Sequence, residues 1–199
     1  MTRNAYSLPN LLTYARILAV PLIVVCFFLE GELQSSDFAR WLAFGIFAAA
    51  SITDFFDGYL ARRWKQTSNI GRMLDPIADK LVVSVVLLLL AAEGSLKNWS
   101  LWAAVIILCR EILVSGLREY LASLEVSVPV TWLAKWKTAI QLVAIGFLLI
   151  GPAGDKLVPY VTETGHVLLW LSAVVTLYTG WDYFRSGLKH MIEDEAEKP

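Results

Sequence analysis

Six stretches of this chain are too long and too apolar for the interior of a small soluble domain: roughly residues 10–29, 39–60, 73–92, 99–121, 133–151 and 163–185. A helix rises about 1.5 Å per residue, so about 20 apolar residues cover the roughly 30 Å hydrocarbon core of a bilayer. Lipid offers the backbone no hydrogen-bond partner, so each stretch must be helical. The predicted fold class is all-α integral membrane, with six transmembrane helices. Composition points the same way, with 57% hydrophobic and 18% charged residues, where soluble domains hold about 45–50% and 25%. No Pro/Gly/Ser-rich linker divides the sequence, so a single membrane domain over residues 1–199 is expected. The first stretch is too long for a signal-peptide core, lacks a small-residue cleavage site and is followed by further spans, so it is read as a span.

Basic residues orient the spans. Eleven Lys and Arg fall in the ends and connections on one side, among them Arg62, Arg63, Arg72 and Arg118, and three (Arg40, Lys97, Lys156) on the other. Both termini and the connections at 61–72 and 119–134 are therefore expected in the cytoplasm. Trp41, Trp99, Trp102, Trp132, Trp136 and Trp181 stand near span ends, where an indole anchors at the headgroup level. Leu8, Leu11, Leu12 and Ala15 follow helical spacing after Pro9, which suggests a short N-terminal interfacial segment feeding span one. Asn10, Thr13 and Arg16 repeat every three residues on another face; a solvated face and a substrate contact are both open readings. Cys26 and Cys109 lie in apolar runs and read as buried free thiols. A net charge of −1 gives no reason to expect a nucleic-acid partner.

The chemistry concentrates between residues 54 and 79. Asp54, Asp57, Gly58 and Ala61 are spaced i, i+3, i+4, i+7, and Gly71, Asp75 and Asp79 are spaced i, i+4, i+8, so each set shares a helical face. The first set ends span two and the second begins span three, on the same side, and a short connection makes these spans antiparallel neighbours. Four carboxylates can then converge. An aspartate in mid-span costs about 2.5–3.5 kcal/mol on insertion scales, so positive charge must compensate. Arg62, Arg63 and Lys80 could supply part of it, in which case the cluster is a structural charge network; Mg²⁺ or Mn²⁺ would do so better, because hard carboxylate oxygens suit them. No His or Cys belongs to the cluster, which argues against zinc. Gly58, Ala61 and Gly71 leave room on these faces, either for close helix packing or for a bound nucleotide or phosphate. Pro76 either follows the start of span three near Leu74 or bends that span.

These residues match the signature of the CDP-alcohol phosphatidyltransferase family, Asp-x2-Asp-Gly-x2-Ala-Arg-x8-Gly-x3-Asp-x3-Asp. All eight fixed positions agree, at Asp54, Asp57, Gly58, Ala61, Arg62, Gly71, Asp75 and Asp79, and the chain resembles that family over 26 residues of motif and in its six-span layout. The resemblance implies a two-metal site holding two Mg²⁺ or Mn²⁺, with Asp54, Asp57 and Asp75 as ligands. Asp79 is implied as general base, also near a metal. It further implies a binding site for CDP-diacylglycerol bordered by Gly58, Ala61, Gly71 and Thr13, with Arg62 on the diphosphate. Direct displacement of CMP by an acceptor hydroxyl is the implied reaction, since no Ser, Cys or His stands out as a covalent nucleophile.

A second, basic cluster bears on the acceptor. Arg110 lies inside span four, Arg118 near its end, about 80° away around the axis, and Lys135 and Lys137 open span five. An arginine inside a span is usually functional, although pairing with Glu111 or a motif aspartate is also open. Together with Arg16, these cations suit an acceptor bearing its own phosphate, because Arg binds phosphate in bidentate fashion and Lys as a point charge. The runs at 9–16, 110–119 and 135–138 also resemble those of family members that use glycerol 3-phosphate. That resemblance implies a bacterial inner-membrane enzyme of phospholipid biosynthesis, in contact with membrane lipid and homodimeric, with its active site on the cytoplasmic side. The competing readings are the same chemistry on inositol phosphate, serine or phosphatidylglycerol, and a divalent-cation transporter. A transporter predicts acidic residues continued at depth, and spans four to six supply no such row.

Overall fold

The computed structural model describes residues 8–29, 36–64, 69–123 and 132–196; within these, the side chains at 8, 9, 55–64, 69, 70, 72, 123, 132–135, 182 and 186–196 are not described. The described chain is helical, with no strand: α1 (Leu8–Phe28), α2 (Asp37–Trp64), α3 (Asn69–Ala92), α4 (Trp99–Ser123), α5 (Trp132–Asp155) and α6 (Val161–Ala196). Each helix falls on one of the apolar stretches. Four contain a segment long and apolar enough to cross a membrane, at Asn10–Phe28, Trp99–Ala122, Trp136–Asp155 and Val161–Arg185. The acidic motif falls on the other two, α2 and α3. The chain forms two compact units, Met1–Lys97 with Ile145–Gly165, and Asn98–Ala144 with His166–Pro199.

In the first unit, α1 packs on both α2 and α3. Its buried stripe runs Asn10, Thr13, Arg16, Ala19, Ile23, Cys26 and Phe27, a spacing of three and four that holds one face of a helix inward. The stripe is polar at its start and apolar at its end. On the opposite face Leu11, Leu18, Leu22 and Val25 are exposed, as suits a surface solvated by lipid. The expected interfacial segment is, over its described residues, the opening of α1 itself, because the helix runs unbroken from Leu8.

Helix α2 starts at Ser36, whose Oγ accepts the Ala39 N–H at 3.3 Å as an N-cap, with Asp37 favourably placed in the positive first turn. Helix α3 begins at Asn69 and stays helical through Pro76, so the helix does not start at Leu74. It ends at Gly94, whose φ of +85° turns the chain while the Leu96 N–H returns to the Leu90 carbonyl. Arg40 ties this end together: it pairs with Glu93 at 2.8 Å and donates to the Leu149 carbonyl at 3.3 Å. Close beside it α5 kinks at Gly151 (φ +38°), a conformation that suits glycine, ahead of Pro152. Asp155 closes the corner by accepting hydrogen bonds from the Thr162 N–H and hydroxyl at the start of α6. At Gly165 an added Cβ would stand 2.9 Å from Leu148 Cγ, so a glycine is needed for that approach.

In the second unit, α4 buries Ala103, Ala104, Ile107, Val114 and Leu121. The buried face of α6 runs from Leu169 into a small and polar stripe, Ser172, Ala173, Thr176, Thr179 and Gly180, at helical spacing. Trp99, Trp102, Trp136 and Trp181 are exposed, as interfacial anchors would be. Cys26 is buried as expected; Cys109 is exposed, because it faces an open groove between α4 and α6.

Candidate active site

The polar end of the α1 stripe explains how the motif carboxylates are held. Arg16, 2% exposed, places NH1 2.6 Å from the Asp54 carboxylate of α2, whose side chain is 38% exposed. Thr13, equally buried, donates its hydroxyl to the Asp75 carboxylate of α3. One helix therefore grips the acidic residues of two others from the interior side. Asp54 and Asp75 are near enough for their charges to interact, and Arg16 offsets part of the repulsion. Asp79 lies one turn beyond Asp75 and is half-buried, while Gly71, one turn before it, is buried. Lys80 turns its ammonium back to the Pro76 carbonyl at 3.0 Å.

Asn10, Thr13 and Arg16 are thus not a solvated face: all three are buried, because α2 and α3 pack over them. Arg16, expected on the acceptor's phosphate, sits on Asp54, and Thr13, expected near the CDP-diacylglycerol site, sits on Asp75. The side chains of Asp57, Gly58, Ala61 and Arg62 lie outside the described residues, as does that of Lys135. Among the described residues no three of His, Cys, Asp or Glu cluster at metal-binding distance. The donors that are placed, carboxylate oxygens on two helices that both pack on α1, are of the hard type that suits Mg²⁺ or Mn²⁺, and the motif holds no soft ligand.

The second unit holds the basic cluster. Arg110 of α4 donates from Nε to the Thr176 carbonyl and from NH2 to the Thr179 hydroxyl, both at 3.1 Å. Its NH1 lies 3.6 Å from the Glu111 carboxylate, which also takes a hydrogen bond from the Lys137 ammonium of α5. Gly180 makes room for this arrangement, since a Cβ there would stand 2.9 Å from Arg110 Cγ. Arg118 is exposed and lies over the Tyr183 ring, 5.7 Å from its centroid. A groove of about 520 Å³ between α4 and α6 is lined by Trp102, Leu113, Leu117, Trp181 and Phe184, with Arg110 in its wall. Glu111, Thr179 and Gly180 were absent from the expected site. Their sequence signal was the small and polar stripe 172, 176, 179, 180 on α6 and the acidic neighbour of Arg110.

Comparison with known proteins places these clusters in context. The sequence profile described as CDP-alcohol phosphatidyltransferase matches residues 6–178. A protein of Rickettsia bellii is 44% identical over 92% of this chain and 97% of its own length. One of Cereibacter sphaeroides is 37% identical over 96% and 99%, and one of Escherichia coli K12 is 36% identical over 94% and 98%. All three bear the name CDP-diacylglycerol–glycerol-3-phosphate 3-phosphatidyltransferase. With the profile spanning most of the sequence and the likeness running nearly end to end, the chain belongs to the CDP-alcohol phosphatidyltransferase family.

Proposed function

We propose that this protein transfers the phosphatidyl group of CDP-diacylglycerol to sn-glycerol 3-phosphate, giving phosphatidylglycerophosphate and CMP. The observation that carries the reading is near full-length identity of 36–44% to relatives of that name. The complete eight-position motif supports it. So does the grip of α1 on Asp54 and Asp75, which holds two of the motif carboxylates side by side with Asp54 partly open.

In the proposed reaction the glycerol 1-hydroxyl attacks the lipid-side phosphorus. A new O–P bond forms, the P–O bond to CMP breaks, and the hydroxyl proton passes to the Asp79 carboxylate. Asp54, Asp57, Asp75 and Asp79 would hold two Mg²⁺ or Mn²⁺, which when bound neutralise the pyrophosphate and the leaving CMP. Arg16 and Thr13 fix Asp54 and Asp75 from behind. Gly58, Ala61 and Gly71 leave space for the cytidine nucleotide, and Arg62 pairs with its diphosphate. Arg110, Arg118, Lys135 and Lys137 receive the acceptor's own phosphate, which carries close to two negative charges at neutral pH. The working assembly is a homodimer of six-span subunits in a bacterial inner membrane. Termini and active site face the cytoplasm, where the polar acceptor enters while the acyl chains stay in the bilayer.

The test is CMP release by purified protein in detergent micelles containing CDP-diacylglycerol, with the acceptor alcohol and the metal varied. Release that requires both glycerol 3-phosphate and Mg²⁺ or Mn²⁺ is expected. Release with inositol phosphate or serine alone would retain the chemistry and overturn the acceptor. No release with any alcohol from folded protein would overturn the transferase reading.

A further inference from the structure

We infer that Glu111 is a positioning residue for the acceptor's phosphate, clamping Arg110 and Lys137 at one place so that both cations meet a single phosphate group. The inference rests on the reading of Arg110 and Lys137 as the acceptor site. One carboxylate oxygen, Oε1 of Glu111, serves both cations: it accepts from the Lys137 ammonium and lies 3.6 Å from Arg110 NH1. These cations come from different helices, α4 and α5, so the shared oxygen sets the distance between them.

The other edges of Arg110 are already fixed. Nε and NH2 are bonded to α6 through Thr176 and Thr179, and Gly180 leaves the space its stem occupies. At 3.6 Å the NH1 contact is an ion pair rather than a hydrogen bond, so NH1 is the edge with donors to offer a ligand. Charge supports the clamp. Two cations from different helices, with Lys137 5% and Glu111 22% exposed, would repel and splay without the carboxylate oxygen they share, and an Arg and a Lys held together suit a phosphate.

The test measures steady-state kinetics of Glu111→Gln and Glu111→Asp in micelles, with thermal unfolding followed by tryptophan fluorescence. Glu111→Gln is expected to raise the KM for glycerol 3-phosphate about tenfold or more, the loss of one charge-assisted contact. The KM for CDP-diacylglycerol should change less than about twofold, since the clamp is inferred for the acceptor's phosphate alone, and Glu111→Asp, one methylene shorter, should give a smaller selective rise in the acceptor KM. An unchanged glycerol 3-phosphate KM in folded Glu111→Gln would overturn the inference. So would equal losses for both substrates, which mark a merely structural role. Should Glu111→Gln not fold, Glu111→Asp decides: a selective rise in the acceptor KM supports the clamp, and none refutes it. Arg110→Gln and Lys137→Gln separate the two levels. If they raise the acceptor KM and the Glu111 variants do not, the clamp alone fails; if they too leave it unchanged, the acceptor site is elsewhere.

Discussion

In the first unit the Asp54 carboxylate is partly open, and Arg16 and Thr13 are buried behind it and Asp75. In the second unit the order is reversed: Lys137 is buried, Arg110 is nearly so at 12% exposure, and Glu111, the carboxylate they share, is the more exposed member. The two clusters use one device with opposite sign. A charge that the proposed reaction would use is held by an oppositely charged or hydroxylic side chain from a neighbouring helix, so it survives a low-dielectric setting. The difference lies in access. Carboxylates backed from the interior present themselves outward, which suits small hard cations. Recessed cations must be reached by their ligand, which suits a phosphate on a short flexible alcohol.

Substitutions can break or sharpen this contrast. The largest effect is expected from Asp79→Asn, which should reduce CMP release by about 10²- to 10⁴-fold, the usual contribution of a general base, in protein that still folds. A stable variant of near wild-type rate would remove Asp79 from the chemistry. Next comes Arg16→Met, which leaves Asp54 without its buried partner and should cost about 1.5–3 kcal/mol, read as unfolding at lower temperature or denaturant. Weaker binding of Mn²⁺, followed by its paramagnetic resonance signal, should accompany it. An Arg16→Met protein that keeps its metal affinity but loses affinity for glycerol 3-phosphate would return Arg16 to the acceptor site. Arg110→Lys keeps the charge but not the fork bonded to Thr176 and Thr179, and should raise the acceptor KM by about tenfold. Gly180→Ala should shift the same constant in the same direction by displacing the Arg110 stem. The smallest effect belongs to Arg118→Ala. Arg118 is exposed, so its attraction for the acceptor's phosphate is screened to about 0.5–1 kcal/mol, and a change of roughly two- to fivefold in the acceptor KM is expected.

The helices were legible because apolar length and periodicity are local properties. Each predicted stretch meets a helix, and the largest differences are at ends, where α6 runs on to Ala196 and α3 starts at Asn69 ahead of Pro76. The motif was legible because its spacing is itself the information, and helical geometry turns i, i+3 and i, i+4 into shared faces. Partners across helices were not. Nothing in the sequence joins Arg16 to Asp54 or Thr13 to Asp75, which are 38 and 62 positions apart; only the three-residue repeat of Asn10, Thr13 and Arg16 marked that face as special. Its polarity left solvent and substrate both open, whereas burial against α2 and α3 gave those polar groups protein partners. Cys109 shows the converse: an apolar neighbourhood in sequence does not mean a protein interior when lipid is the solvent. Glu111 was visible beside Arg110, but its bond to Lys137, 26 residues on, depends on how α5 meets α4.

The central claim is tested most directly by following labelled glycerol 3-phosphate into lipid with purified protein reconstituted with CDP-diacylglycerol. The account predicts that label enters the lipid phase as phosphatidylglycerophosphate, one CMP released per lipid formed, only with Mg²⁺ or Mn²⁺ present and not in Asp79→Asn. Label remaining in the aqueous phase while another alcohol is incorporated, or transfer that persists in excess chelator, would contradict it.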